Sequence, residues 1–183
     1  MKSPNSEIAI LLQKCKENNQ KAQLALYNMY CSAMFNVAFR IVSNKTLAEE
    51  IMQDSFLKAF TKLDSYSGKV TFGAWLKKIV INTSINELKK VNQFQFESLN
   101  EGNEFEDINE NDIISYNELK AEQILKTIQS LKSNYKIILT LFFIEGYDLE
   151  EISSILNISN ENCRTTMSRA KESLRKKLND NER

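Results

Sequence analysis

Residues 148–178 constrain this chain more than any other stretch, because two helix signals stand there on either side of a very short turn. Asp148 followed three residues later by Glu151 is a capping-box pattern, with Asp in place of Ser or Thr, and it predicts the start of a short helix. Ile152, Ile155 and Leu156 give that helix an apolar face. Asn157 to Ser159 make a tight turn, and Ser159 is placed to cap the helix that follows. In the second helix Cys163, Met167, Ala170, Leu174 and Leu178 recur at helical spacing. The other side carries Arg164, Thr165, Ser168, Arg169, Arg175 and Lys176. An apolar back and a basic, hydrogen-bonding front are what a helix needs to sit in the DNA major groove. A solvated amphipathic helix has the same two faces. The agreement of the short helix, the turn and the caps favours a DNA-binding helix-turn-helix.

The rest of the chain is also helical in character. Its 183 residues include only 4 Gly and 1 Pro, with abundant Lys, Glu, Leu and Ile, and this predicts an all-α protein of one or two small domains. Pro4 falls in a short polar N-terminal tail. No apolar run is long enough to span a bilayer and no signal-peptide core opens the chain, so the expectation is a cytoplasmic protein with no membrane insertion of its own. Cys15, Cys31 and Cys163 lack metal-ligand spacing and sit beside apolar residues, as reduced buried thiols do. The chain has no histidine, which removes every His-dependent triad and the usual zinc ligand sets. No Gly-rich phosphate loop is present. The common routes to an enzyme are therefore closed, and no cofactor or metal is expected.

A formal net charge of zero conceals a partition. Residues 1–91 hold 13 Lys and Arg against 7 Asp and Glu, and residues 120–183 hold 11 against 9. Residues 92–119 hold 8 acids and no base, among them Glu97, Glu101, Glu104, Glu106, Asp107, Glu110 and Asp112. That composition, rich in Asn and poor in helical period, predicts a flexible solvated linker. The expected organisation is two helical modules, at about 5–92 and 116–180, joined by an acidic tether at 93–115. Two units so joined can engage two separated sites on one extended partner.

In the first module Thr46 and Glu49 form a capping-box pattern that predicts a helix to about Leu63. Met52, Phe56, Ala59 and Leu63 make its buried stripe, and Glu50, Gln53, Asp54, Leu57 and Lys58 face the other way. That outer face is either ordinary surface or a protein-docking surface, and because single exposed apolar residues are normal the residues alone favour ordinary surface. A polar turn from Asp64 to Thr71 follows, holding Tyr66 and Gly68. The next helix, from about Phe72 to Lys90, turns Phe72, Leu76, Ile79, Val80 and Thr83 to the core. Trp75, Lys78, Asn82, Asn86 and Lys89 lie on a second stripe. Rings stack on splayed bases, amides read base edges and lysines hold phosphates, so the stripe suits unpaired nucleic acid. A core Trp75 flanked by solvated lysines fits the same pattern.

Ala48-Glu49-Glu50-Ile51-Met52-Gln53-Asp54-Ser55-Phe56-Leu57-Lys58-Ala59-Phe60, with Leu63-Asp64-Ser65-Tyr66-Ser67-Gly68 and Phe72 to Thr83, resembles region 2 of the sigma-70 family of RNA polymerase sigma factors. Leu131 to Leu178 resembles region 4 of the same family. With only these two regions and a short linker, the chain resembles the extracytoplasmic-function (ECF) class. The resemblance implies a promoter-specificity subunit with no covalent chemistry of its own. Glu50, Gln53, Asp54 and Lys58 would dock on core RNA polymerase. Tyr66, Phe72, Trp75, Lys78, Asn82 and Asn86 would recognise and open the −10 element of promoter DNA, with the loop from Ser65 to Thr71 accepting a flipped base. Arg164, Thr165, Ser168, Arg169 and Lys171 would contact the −35 duplex. It also implies an anti-sigma factor as partner. This sequence departs from the family at Thr166, where Arg is common, and at Ser159-Asn160-Glu161, where a small or Pro-Gly-rich turn is common. A helix-turn-helix regulator that binds duplex DNA without joining polymerase would leave the aromatic loop without a use. A helical adaptor would leave both basic faces without one.

Overall fold

The computed structural model of the chain describes residues 4–90 and 118–181, and it divides into two compact units, Met1–Val91 and Asn92–Arg183. All regular structure among the described residues is helical, which makes the fold all-α. The acidic segment expected at 93–115 lies outside the described residues.

The first unit consists of α1 (Pro4–Lys16), α2 (Gln20–Val42), α3 (Lys45–Thr61), a single 3₁₀ turn (Leu63–Ser65) and α4 (Phe72–Lys90). Asn18 takes a left-handed conformation between α1 and α2 (φ 56°), and the Asn19 side chain caps α2 by accepting the Ala22 N–H at 3.1 Å. α2 ends the same way. Ser43 is left-handed (φ 55°), and its N–H returns to the Phe39 carbonyl at 2.8 Å. Asn44 then caps α3, accepting the Leu47 N–H at 3.0 Å. The helix thus starts ahead of the Thr46–Glu49 pattern, and Thr46 lies inside it. Asn is the better cap, and the reversal at Ser43 has already placed it.

α2, α3 and α4 pack on one another, and α1 lies on α2 and the 3₁₀ turn. Leu26, Ile41, Ile51, Leu76, Ile81 and Ile85 fill the centre of this unit, each at most 2% exposed. Fully burying one such side chain stabilises by roughly 1.5–3 kcal/mol. α4 touches both α2 and α3, so it is buried around most of its circumference. Besides Phe72, Leu76, Val80 and Thr83 it buries Ile81, Ser84, Ile85 and Leu88, while Ile79 is only half-buried.

The second unit holds α5 (Glu118–Gln129), α6 (Ser133–Leu139), α7 (Leu149–Leu156) and α8 (Asn160–Asn181). α6 runs on through one π-helical turn, Thr140–Ile144. α8 is the hub and packs against α5, α6 and α7. Cys163, Met167, Ala170 and Leu174 form its buried stripe with Ile137, Ile138, Leu141, Ile152 and Leu156 opposite, and Leu178 is half-buried at the end. The Lys177 ammonium donates to the Ser130 carbonyl at 2.9 Å, satisfying an orphan acceptor just past α5. No described helix is long and apolar enough to cross a membrane.

Candidate nucleic-acid interface

The burial of α4 on two sides leaves one narrow strip of it at the surface. Lys78, Asn82, Asn86 and Lys89 are exposed on that strip and Trp75 is half-buried at its N-terminal end. These residues stand at i, i+3, i+7, i+11 and i+14, which fall on one helical face, so an aromatic ring, two amides and two lysines share a line. Phe72 does not join them. It is 2% exposed and belongs to the core, because it begins the helix on the side turned to α2. Its place is beneath the surface rings. Phe72 stands edge-on to Tyr66, with centroids 5.9 Å apart, and tilted to Trp75 at 5.8 Å. Tyr66 and Trp75 meet at 5.3 Å. Tyr66 is half-buried, so it is less exposed than its place in a polar turn implies.

Two further residues complete this cluster. Tyr30, from the middle of α2, meets Phe72 edge-on at 5.5 Å. A Cβ built on Gly73 would come 2.9 Å from Tyr30 Cε1. Glycine at 73 is therefore what lets the Tyr30 ring approach the first turn of α4 so closely. Burial, with the nearby Tyr66 adding to it, pushes the Tyr30 phenol above its ordinary pKa. Nothing local in the sequence pairs Tyr30 with Gly73. A glycine inside a helical pattern was the one available signal.

The second surface is built by the turn between α7 and α8. Asp148 Oδ1 accepts the Glu151 N–H at 2.8 Å and Glu151 Oε2 accepts the Asp148 N–H at 3.1 Å, so the capping box is complete. Asn157 is left-handed (φ 57°, ψ 53°) and ends α7. Ser159 Oγ accepts the Asn162 N–H at 3.1 Å and starts α8. The Cys163 thiol lies 3.5 Å from the Leu149 carbonyl and ties the two helices together, and burial raises its pKa, so it stays a thiol. Cys15 is buried in the same way, whereas Cys31 is only half-buried, and none of the three is in a disulfide.

From this frame α8 presents Arg164, Thr165, Arg175 and Lys176 to solvent, with Ser168, Arg169 and Lys171 half-buried. Lys171 leans to one flank, where its ammonium lies 5.3 Å from the Phe142 ring centroid and 6.0 Å from that of Phe143. Thr166 is 8% exposed and its hydroxyl donates to Asn162 Oδ1 at 3.1 Å, so this position faces inward. Two acids share the front. Glu161 is exposed and stands in line with Thr165 and Ser168 by helical spacing, and Glu172 pairs with Lys176 at 2.6 Å.

The third surface is the outer face of α3. Glu50, Gln53, Asp54 and Lys58 are exposed there around Leu57, itself 66% exposed. Lys58 lies at the margin, its ammonium 3.4 Å from Thr83 Oγ1 of α4. No group of three or more His, Cys, Asp or Glu among the described residues is arranged to hold a metal ion.

The family profile of sigma-70 region 2 matches residues 26–93, and that of sigma-70 region 4 matches residues 121–174. ECF RNA polymerase sigma factor SigW of Bacillus subtilis is 26% identical over 178 residues, which cover 92% of this chain and 95% of SigW. ECF RNA polymerase sigma-E factor of Escherichia coli K12 is 25% identical, covering 92% of this chain and 93% of its own length. Two solved structures share the fold. One is CnrH in complex with the cytosolic domain of CnrY, with a TM-score of 0.54 at 20% identity over 93% of this chain and 96% of that one. The other is the sigma factor RpoE in complex with the anti-sigma factor NepR from Bartonella quintana, with a TM-score of 0.55 at 21% identity over 85% and 95%.

Proposed function

This chain belongs to the sigma-70 family, in its extracytoplasmic-function class, and from that premise we propose how its surfaces select a promoter. The protein is a promoter-specificity subunit of bacterial RNA polymerase. It binds core enzyme, recognises the −35 and −10 elements and helps to open the DNA. Polymerase supplies the chemistry, and the chain's own contribution is binding energy directed at duplex DNA in one place and at separated strands in another. It acts in the cytoplasm, and an anti-sigma factor that covers these surfaces is its expected regulator.

The roles divide as follows. α3 docks on core polymerase through Glu50, Gln53 and Asp54, with Lys58 at the margin. The exposed strip of α4 receives the opened −10 element: Trp75 supplies a ring, Asn82 and Asn86 supply donors and acceptors to base edges, and Lys78 and Lys89 neutralise phosphates. Tyr66 and Phe72 support that strip. α8 enters the −35 major groove, with Arg164, Thr165 and Ser168 reaching base edges or phosphates and Arg169 and Lys171 on the flanks.

One observation carries this reading over a regulator of duplex DNA. A single chain holds both a helix-turn-helix and a separate unit whose only outward strip on α4 is an aromatic ring followed by amides and lysines. A duplex-binding regulator needs the first and has no work for the second. The test is transcription with purified core polymerase on a genomic promoter library, with permanganate footprinting of the templates selected. Specific transcripts and reactive thymines around −10 are expected only when the chain is added. Sequence-specific binding to duplex with no pull-down of core polymerase would instead make it a regulator.

A further inference from the structure

The loop leading into α4 is held in shape by bonds among its own residues. The Tyr66 hydroxyl donates to the Val70 carbonyl at 2.7 Å and closes the loop on itself. At the near end the Tyr66 N–H returns to the Leu63 carbonyl at 3.1 Å. At the far end Thr71 accepts twice: its hydroxyl takes the Ala74 N–H at 3.3 Å and its carbonyl takes the Trp75 N–H at 3.1 Å. Gly68, between them, sits at φ 74° with nothing within 4 Å of a built Cβ, so the backbone conformation and not crowding asks for glycine there. The Tyr66 ring is also occupied, edge-on to Phe72 and tilted onto Trp75. The Trp75 ring meets Tyr66 and Phe72 as well, but only Tyr66 is also anchored by a side-chain hydrogen bond among the described residues, which leaves Tyr66 the worse placed of the two to turn towards an incoming base. Trp75 is half-buried, and it heads the exposed strip of Lys78, Asn82 and Asn86.

On the reading that this face meets melted promoter DNA, we infer that Tyr66 is a positioning residue whose hydroxyl clasps the 66–70 loop, and that Trp75, not Tyr66, is the ring on which the unpaired base stacks. A loop already in its bound shape spares the ordering that binding would otherwise impose. Val70 is 54% exposed, so when the clasp is lost water takes its carbonyl, and only the net value of one hydrogen bond is forfeited. That value corresponds to roughly a 2- to 10-fold change in affinity.

The test uses holoenzyme and non-template single strands from a promoter that the parent transcribes, with 2-aminopurine at successive −10 positions. Tyr66→Phe keeps the ring and removes the clasp. It should weaken single-strand binding by roughly 2- to 10-fold, reach the parent's fluorescence quench at saturation, and leave core association and −35 duplex binding unchanged. Trp75→Ala should abolish the quench at one position, and Trp75→Phe should restore part of it if the Ala variant folds poorly. Tyr66→Phe binding as tightly as the parent while Tyr66→Ala fails would make Tyr66 the stacking ring and overturn the inference. So would a full quench in Trp75→Ala. Failure of the parent holoenzyme to bind any −10 strand while it still binds −35 duplex would overturn the reading of the face itself, and the clasp with it.

Discussion

Gly73→Ala isolates the contact on which the aromatic cluster rests. The added methyl would lie 2.9 Å from Tyr30 Cε1, closer than carbon atoms approach without displacement. Tyr30 has little room to retreat inward, because it meets Phe72 at 5.5 Å and Phe72 is buried. Overpacking of this kind costs roughly 1–3 kcal/mol. Against it stands the gain of Ala over Gly in a helix, at most about 1 kcal/mol and less in a first turn, where residue 73 lies. The clash wins, and the net loss should be about 1 kcal/mol. For a unit of 60–100 residues that lowers the melting temperature by roughly 4–8 °C. The chain has 1 Trp, at position 75, so tryptophan emission from the full-length protein follows this unit alone. Repeating the substitution in a Tyr30→Ala background removes the obstacle, and Gly73→Ala should then be neutral or stabilising. The coupling should be about 1–2 kcal/mol, as for residues in direct contact. An equal penalty in both backgrounds would place the cost in the backbone at residue 73 and refute the steric argument. In holoenzyme the displaced ring should push on Phe72, and through it on Tyr66 and Trp75, so promoter opening should slow while closed-complex affinity holds.

Asp54→Lys, on the exposed face of α3, should leave stability within about 0.5 kcal/mol yet weaken core polymerase in a pull-down. Unchanged core binding would move the docking surface elsewhere. Arg164→Ala should cost roughly 1–3 kcal/mol of −35 affinity, confined to the cognate sequence if Arg164 reads a base. In a filter-binding titration, a uniform loss with a shallower salt slope would mark a phosphate contact instead, and no loss on any DNA would remove Arg164 from the interface. Asp148→Ala breaks the capping box of α7 and should destabilise the second unit by roughly 0.5–2 kcal/mol, whereas Asp148→Asn, which retains an acceptor for the Glu151 N–H, should lose less. Calorimetric melting of the full chain checks both.

The helix-turn-helix was legible because each of its signals is local. Asp148 and Glu151 are three residues apart, Ser159 and Asn162 are three apart, and the apolar stripe of α8 has a single period. The inner and outer faces of α3 were legible for the same reason. What escaped depends on residues far apart in the chain. The pattern of α4 showed one core face, yet the helix lies against both α2 and α3 and also buries Ile81, Ser84, Ile85 and Leu88. Phe72 reads as a candidate base contact until Tyr30, 42 positions earlier, closes over it. Lys171 reads as one more cation on a DNA-facing helix until Phe142 appears beside it on the π turn, which has no sequence signature. Thr46 was misjudged as a cap because Asn44, only two residues before it, is the stronger one.

The charge pattern of α8 bears on why such a unit works as part of a larger enzyme. Among its cations Lys176 is paired with Glu172, Lys177 is spent on the Ser130 carbonyl and Lys171 lies over aromatic rings. Glu161 is exposed on the same face as Thr165 and Ser168 with no ion-pair partner among the described residues, and on the proposed docking it would repel an approaching phosphate. Each phosphate neutralised contributes a slope of about −0.9 to the salt dependence of duplex binding, and of the helix's cations Arg164, Arg175 and Lys176 are the exposed ones, the last paired with Glu172. The chain alone should therefore bind −35 duplex weakly and with a shallow salt slope, and a steep slope in a filter-binding titration would refute this. On the proposed roles, core polymerase holds the second unit near the −35 element while the first meets the −10 element, so that each weak contact forms at high effective concentration. A subunit that bound promoters tightly by itself would occupy them without polymerase. On the proposed roles, base discrimination rests with Arg164, Thr165 and Ser168 and not with the sum of the helix's cations, so it survives a low affinity of the free subunit.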